Sequence, residues 1–91
     1  MLKSFRCKDT AALYADDCPR RFRAIQNVAQ RKLQMLEAAH RVEDLRSPPG
    51  NRLEKLKGDR NGQWSIRINS QWRICFHWTD GAENVEIVDY H

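Results

Sequence analysis

The residues best suited to chemistry lie in the C-terminal half of the chain. Arg67 and Arg73 fall on the polar positions of two alternating segments, Lys55 and Lys57 precede them, and a phenol and an imidazole, Tyr90 and His91, close the sequence. Guanidinium and ammonium groups suit a polyanion: they contact phosphates, and binding of that kind weakens with salt. Cleavage of RNA asks for more. The 2′-hydroxyl must lose a proton and attack the adjacent phosphate, the phosphorane gains negative charge, and the 5′-oxygen must leave with a proton. Fixed cations stabilise the developing charge. A His, Tyr, Glu or Lys within hydrogen-bond reach adds acid–base help of roughly 10²–10⁴-fold. Such chemistry requires no divalent ion, and neither a metal nor any other cofactor is expected. Glu83, Glu86 and Asp89 have no partners at ligand spacing, and His40, His77 and His91 are scattered along the chain.

Charge is distributed unevenly along the 91 residues. Residues 1–51 carry ten Lys/Arg and six Asp/Glu, a balance of +4. Residues 52–77 reach the same +4 in half the length, with Arg52, Lys55, Lys57, Arg60, Arg67 and Arg73 against Glu54 and Asp59. Residues 78–91 have four acids and no Lys or Arg. One concentrated basic stretch points to a polyanionic partner, although charge alone fits a solvated basic face equally well. Cys7, Cys18 and Cys75 are odd in number and form no CxxC pair, so small reduced thiols in a cytoplasmic protein are expected, not a disulfide framework. Residues 1–8 lack the apolar stretch of a leader, and no window approaches a membrane span.

These residues need elements to hold them. Residues 1–6 alternate loosely and suit a short strand. Asp9-Thr10 reads as an N-cap for a short helix over residues 11–15. Asp17-Cys18-Pro19 is a second start signal, and from Arg20 the residues Phe22, Ile25, Ala29, Leu33, Leu36 and His40 form an apolar stripe at helical spacing. Ser47-Pro48-Pro49-Gly50 is expected to end all helical structure. Beyond Gly50 the period becomes two. Gly58-Asp59-Arg60-Asn61-Gly62 is a turn, Trp64, Ile66 and Ile68 alternate with Ser65, Arg67 and Asn69, and Trp72, Ile74, Phe76 and Trp78 alternate with Arg73, Cys75 and His77. Asp80-Gly81 is a further turn, and residues 85–90 form a last strand. If residues 53–57 form the preceding strand, Lys55 and Lys57 share a face of it. Ninety-one residues make one domain, here α+β, with two N-terminal helices packed on one face of a small antiparallel sheet. The uncovered face then collects the cations, Tyr90 and His91.

Four segments in order carry a family resemblance: Leu56-Lys57-Gly58-Asp59-Arg60, Gly62-Gln63-Trp64-Ser65-Ile66, Gln71-Trp72-Arg73-Ile74-Cys75-Phe76 and Val88-Asp89-Tyr90-His91. With Lys3-Ser4-Phe5 at the start, the chain resembles, over essentially its whole length, the HigB (killer protein) branch of the RelE toxin superfamily. The resemblance implies a RelE-like microbial ribonuclease fold and a toxin that enters the ribosomal A site and cleaves mRNA between codon positions. It also implies a HigA-like helix-turn-helix antitoxin as partner, with operator DNA reached only through that antitoxin. Carried over residue by residue, Lys57 binds the scissile phosphate or stabilises the phosphorane, Arg73 takes the same charge, and Tyr90 and His91 serve base stacking, orientation and proton transfer. Lys55, Arg60 and Arg67 would contact RNA. Where some relatives have a histidine three residues before the lysine, this chain has Glu54, so the proton acceptor is Glu54, His91 or no strong base.

Other readings of the same residues exist. Arg73 could pair with Asp89 or Glu86 as a surface ion pair. Trp64, Trp72 and Trp78 could stack bases, but their parity with Ile66, Ile74 and Phe76 assigns them to the core. His40 reads as a half-buried helix residue. A non-catalytic RNA- or ribosome-binding protein needs the same basic face without cleavage. A DNA-binding regulator could use the basic helix with Arg20, Arg21, Arg23, Arg31, Lys32 and Arg41, yet no second helix follows at helix-turn-helix spacing.

Overall fold

The period-two pattern of the C-terminal half folds into an antiparallel sheet of β1 (Glu54–Lys55), β2 (Gln63–Arg67), β3 (Trp72–Trp78) and β4 (Ala82–Asp89), in that spatial order. The computed structural model describes residues 1–89; Tyr90 and His91, both expected in the site, lie outside the described residues. Ile66 stands opposite Ile74, and Ile74 opposite Ile87, so one face carries an aliphatic row across three strands. All three are buried. Two α-helices, α1 (Lys8–Tyr14) and α2 (Gln26–Ala38), cover that face through Leu13, Ala29, Leu33 and Leu36, so the architecture is α+β as expected. Trp64, Trp72 and Trp78 pack against this core, with Trp72 edge-on to Phe22 at 5.5 Å between centroids.

The helical half departs from the sequence expectation in detail, each time because a side chain finds a better partner. α1 begins at Lys8 with Cys7 as N-cap. Thr10 is not a cap; it is fully buried, and its hydroxyl accepts the N–H of Ile87 on β4 at 3.0 Å, satisfying an edge amide that would otherwise be orphaned. The long helix from Arg20 is a 3-10 segment, Arg20–Ile25, followed by α2. α2 stops at Ala38 because the Asp44 carboxylate takes the next two free amides, His40 at 3.0 Å and Arg41 at 3.1 Å, and starts a new 3-10 segment, Val42–Arg46. His40 is therefore exposed rather than part of the buried stripe.

The Ser47–Gly50 stretch does not end helical structure altogether. A 3-10 turn spans Pro49–Asn51, closed by the Asn51 N–H on the Pro48 carbonyl at 2.9 Å, a bond that does not use the missing proline N–H. Asn51 is fully buried. Its amide donates to the carbonyls of Leu45 (3.1 Å) and Ser47 (3.4 Å) and accepts from the Lys32 ammonium on α2, tying the connection to the helix layer. In the β1–β2 connection Asn61 (ψ 134°) and Gly62 (φ 90°) take type II angles, where the positive φ requires glycine.

The first residues run beside β4, with parallel bridges of Leu2 to Ala82 and Phe5 to Val85, covering that sheet edge. Close approach at Gly81 makes this possible: a Cβ there would lie 2.6 Å from the Met1 carbonyl oxygen. Gly81→Ala is therefore expected to lift the first residues from β4 and destabilise the domain by about 1–3 kcal/mol. Thermal unfolding checks this, and an unchanged Tm would show that the segment contributes nothing.

Candidate active site on the open face of the sheet

The face turned away from the helices is organised by register. Glu54, Ser65, Cys75 and Glu86 lie opposite one another in turn across β1, β2, β3 and β4. The two central side chains are small and fully buried. Small residues here leave room for arginines to lie over the sheet. Arg73 does so, its Nε donating to Ser65 Oγ at 2.9 Å and its Nη2 to the Arg52 carbonyl at 2.9 Å. Arg52 adopts the left-handed region at φ 47°, an unfavourable conformation for a residue with a Cβ. It follows the buried Asn51, whose hydrogen bonds hold this stretch in place and aim the carbonyl at Arg73.

Arg67 stands directly opposite Arg73. Like charges facing each other across a strand pair are unfavourable unless something anionic offsets them. Arg67 is steadied by its Nε bond to the Asn69 carbonyl at 3.1 Å. Along β1 and just beyond it, Glu54, Lys55, Leu56 and Lys57 line an open cleft of about 350 Å³. Four charged side chains, Arg60, Glu86, Arg73 and Glu54, act on the Cys75 sulfur, which places them around the centre of the face. Burial is the largest influence on that thiol and pushes it above its ordinary range, so Cys75 is a protonated floor residue and not a nucleophile. Cys7, Cys18 and Cys75 are all free.

The lysines are arranged differently from expectation. β1 contains only Glu54 and Lys55, so no five-residue strand carries Lys55 and Lys57 on a common face. Lys55 pairs with Trp64 and lays its ammonium 5.7 Å from that ring's centroid, on the parity of the helix side. Lys57 is exposed at the N-cap of the 3-10 turn Gly58–Arg60 and lines the cleft. Arg60 donates to Glu86 Oε1 at 2.9 Å and to Gln63 Oε1 at 3.1 Å, so Glu86, one of the two acids weighed as partners for Arg73, is engaged by Arg60. β4 runs as far as Asp89, opposite Trp72, with Val88 opposite Arg73. His77 lies on the same face further along β3, its Nδ1 3.4 Å from the Asn84 amide.

Comparison with known proteins fits this arrangement. Residues 3–91 match the family model described as HigB-like toxin, the RelE-like toxin of the type II toxin–antitoxin system HigB. The chain belongs to that family. Along its full length it is 42% identical to Toxin HigB-1 of Vibrio cholerae, over 98% of that protein. It is 33% identical, with both chains fully covered, to the Endoribonuclease HigB of Proteus vulgaris. An uncharacterized protein of Haemophilus influenzae is 39% identical over 74% of this chain and 66% of its own length. Membership of a type II system implies an antitoxin partner for this toxin.

Glu54 and Arg73 thus lie around one face, together with Arg60 and Arg67, while Lys55 turns toward Trp64 and Lys57 stands exposed beyond β1, lining the cleft with Glu54. Sequence reasoning did not identify Ser65, the Arg52 carbonyl, Gln63 or Glu86 as parts of the site. Strand parity carried a signal for Ser65, which alternates with the core residues Trp64 and Ile66. A backbone carbonyl has no such signature.

Proposed function

We propose that this toxin is a ribosome-dependent mRNA endoribonuclease that cuts in the A site by attack of the 2′-hydroxyl on the adjacent phosphate. The observation that carries the reading is the anchoring of Arg73 by Ser65 and the Arg52 carbonyl, opposite a second arginine and on the face that also carries Glu54. A guanidinium fixed in advance stabilises charge that develops on the phosphorane without reorganising during the reaction. The name of the Proteus vulgaris relative, an endoribonuclease, supports the same class of chemistry.

In this scheme Glu54 takes the 2′-hydroxyl proton. The 2′-oxygen bonds to phosphorus while Arg73 and Lys57 hold the non-bridging oxygens. The bond to the 5′-oxygen breaks, leaving a 2′,3′-cyclic phosphate and a 5′-hydroxyl. Tyr90 and His91, assigned by the family resemblance, stack on or orient the base and return the proton to the leaving oxygen. Arg67 contacts the neighbouring phosphates. The toxin acts in the cytoplasm, and a HigA-like helix-turn-helix antitoxin restrains it.

Mapping of mRNA 5′ ends tests ribosome dependence. The purified toxin is expected to cut a defined mRNA between codon positions on programmed ribosomes and to leave the same RNA intact without them. Equal cutting of the free RNA would remove the ribosome from the scheme. No cutting in either case would leave a binding protein.

A further inference from the structure

A partly buried carboxylate is out of place on a surface meant for phosphates. Glu86 sits on β4 opposite Cys75, with its side chain 17% exposed, and would repel RNA if it stood alone. It reaches instead toward β2 and the turn before it. Its Oε1 accepts from Arg60 Nη1 at 2.9 Å, and the same nitrogen donates to Gln63 Oε1 at 3.1 Å at the start of β2. The Arg60 side chain is 33% exposed and held between Glu86 and Gln63. Arg60 is also the last residue of the Gly58–Arg60 turn, and its own N–H bonds the Lys57 carbonyl at 3.3 Å. Holding the Arg60 guanidinium against β4 therefore holds the backbone of Lys57, an exposed residue that lies beyond the two-residue β1.

We propose that Glu86 and Arg60 form a positioning pair that fixes Lys57 over the open face, and that Arg60 is not itself an RNA ligand. The inference rests on the reading of Lys57 as a phosphate-binding residue, and it assigns a second acid of this face a role distinct from that of Glu54. Glu86 acts through Arg60 and the turn; it does not touch the reacting atoms. Misplacing a catalytic group by about 1 Å can cost on the order of 10²-fold in rate, so a carboxylate remote from the phosphate can still govern cleavage.

The test compares Glu86→Gln, Arg60→Ala and their double variant with the parent toxin on ribosomes programmed with a defined mRNA. Each single change is expected to lower kcat by roughly ten- to a hundredfold with KM nearly unchanged, and the double variant to be no worse than the poorer single one. Amide hydrogen exchange supplies a readout free of activity. The N–H groups of Arg60 and Asn61, which close the turn on Lys57 and Gly58, should exchange about tenfold faster in every variant, while the Leu33 amide in α2 stays protected. Loss of Leu33 protection as well would show a general unfolding role and overturn the assignment. It would also fall if Arg60→Ala raised KM at unchanged kcat, the mark of an RNA ligand, or if Glu86→Gln cleaved as fast as the parent. If the parent toxin cut no RNA, the proposed function would fail, and the exchange experiment would still decide whether the pair holds the turn.

Discussion

Arg73→Ala is expected to lower mRNA cleavage by roughly 10²–10³-fold while ribosome binding persists, because it removes a preorganised donor at the point where phosphorane charge develops. Bonds to Ser65 Oγ and to the Arg52 carbonyl hold the guanidinium among the described residues, and both acceptors are themselves fixed. Ser65 is fully buried in β2, and Arg52 follows the buried Asn51. Lysine cannot reproduce this: one ammonium cannot span both acceptors as the planar fork does, so Arg73→Lys should recover only part of the loss. Mapping 5′ ends on programmed ribosomes, with rates measured in single turnover, reads the effect directly. An alanine variant that cut at the parental rate would return Arg73 to a structural role. A thermal scan separates this outcome from unfolding, since replacing a partly buried arginine of the open face by alanine should leave a folded domain.

Glu54→Gln is the second large effect. Glutamine keeps the size and hydrogen-bonding reach of the side chain but cannot accept the 2′-hydroxyl proton, so cleavage should drop by at least about 10²-fold. Glu54 is exposed at the cleft with Lys57 and close enough to the centre of the face for its charge to act on Cys75. An alternative use of the carboxylate is to orient the lysine. The two roles separate in a cycle with Lys57→Ala: a proton acceptor remains important when the lysine is gone, whereas a positioning acid loses its effect. Full cleavage by Glu54→Gln would rule out Glu54 as the proton acceptor and leave His91 or no strong base.

Much of this was legible in the residues. Period-two alternation from Trp64 to Trp78 assigned the tryptophans and isoleucines to the core and Arg67 and Arg73 to the other face, because pleating sends successive side chains to opposite sides. Helical boundaries were less legible. They turned on particular bonds: the Thr10 hydroxyl with Ile87, the Asp44 carboxylate with two amides beyond α2, and Asn51 with two carbonyls. Each joins groups whose meeting depends on the packed chain or on a local geometry that propensity does not specify.

The sequence by itself determined the fold class, the family, and a basic face containing Arg67 and Arg73, since periodicity and motif order are properties of the chain. Tertiary structure decided how those cations are used. Register placed Arg73 over Ser65 and opposite Arg67, Lys55 turned to Trp64, and Glu86 claimed Arg60 across the sheet. Cross-strand neighbours are far apart in the chain, and a carbonyl such as that of Arg52 acts through where the backbone is held, which no residue type encodes.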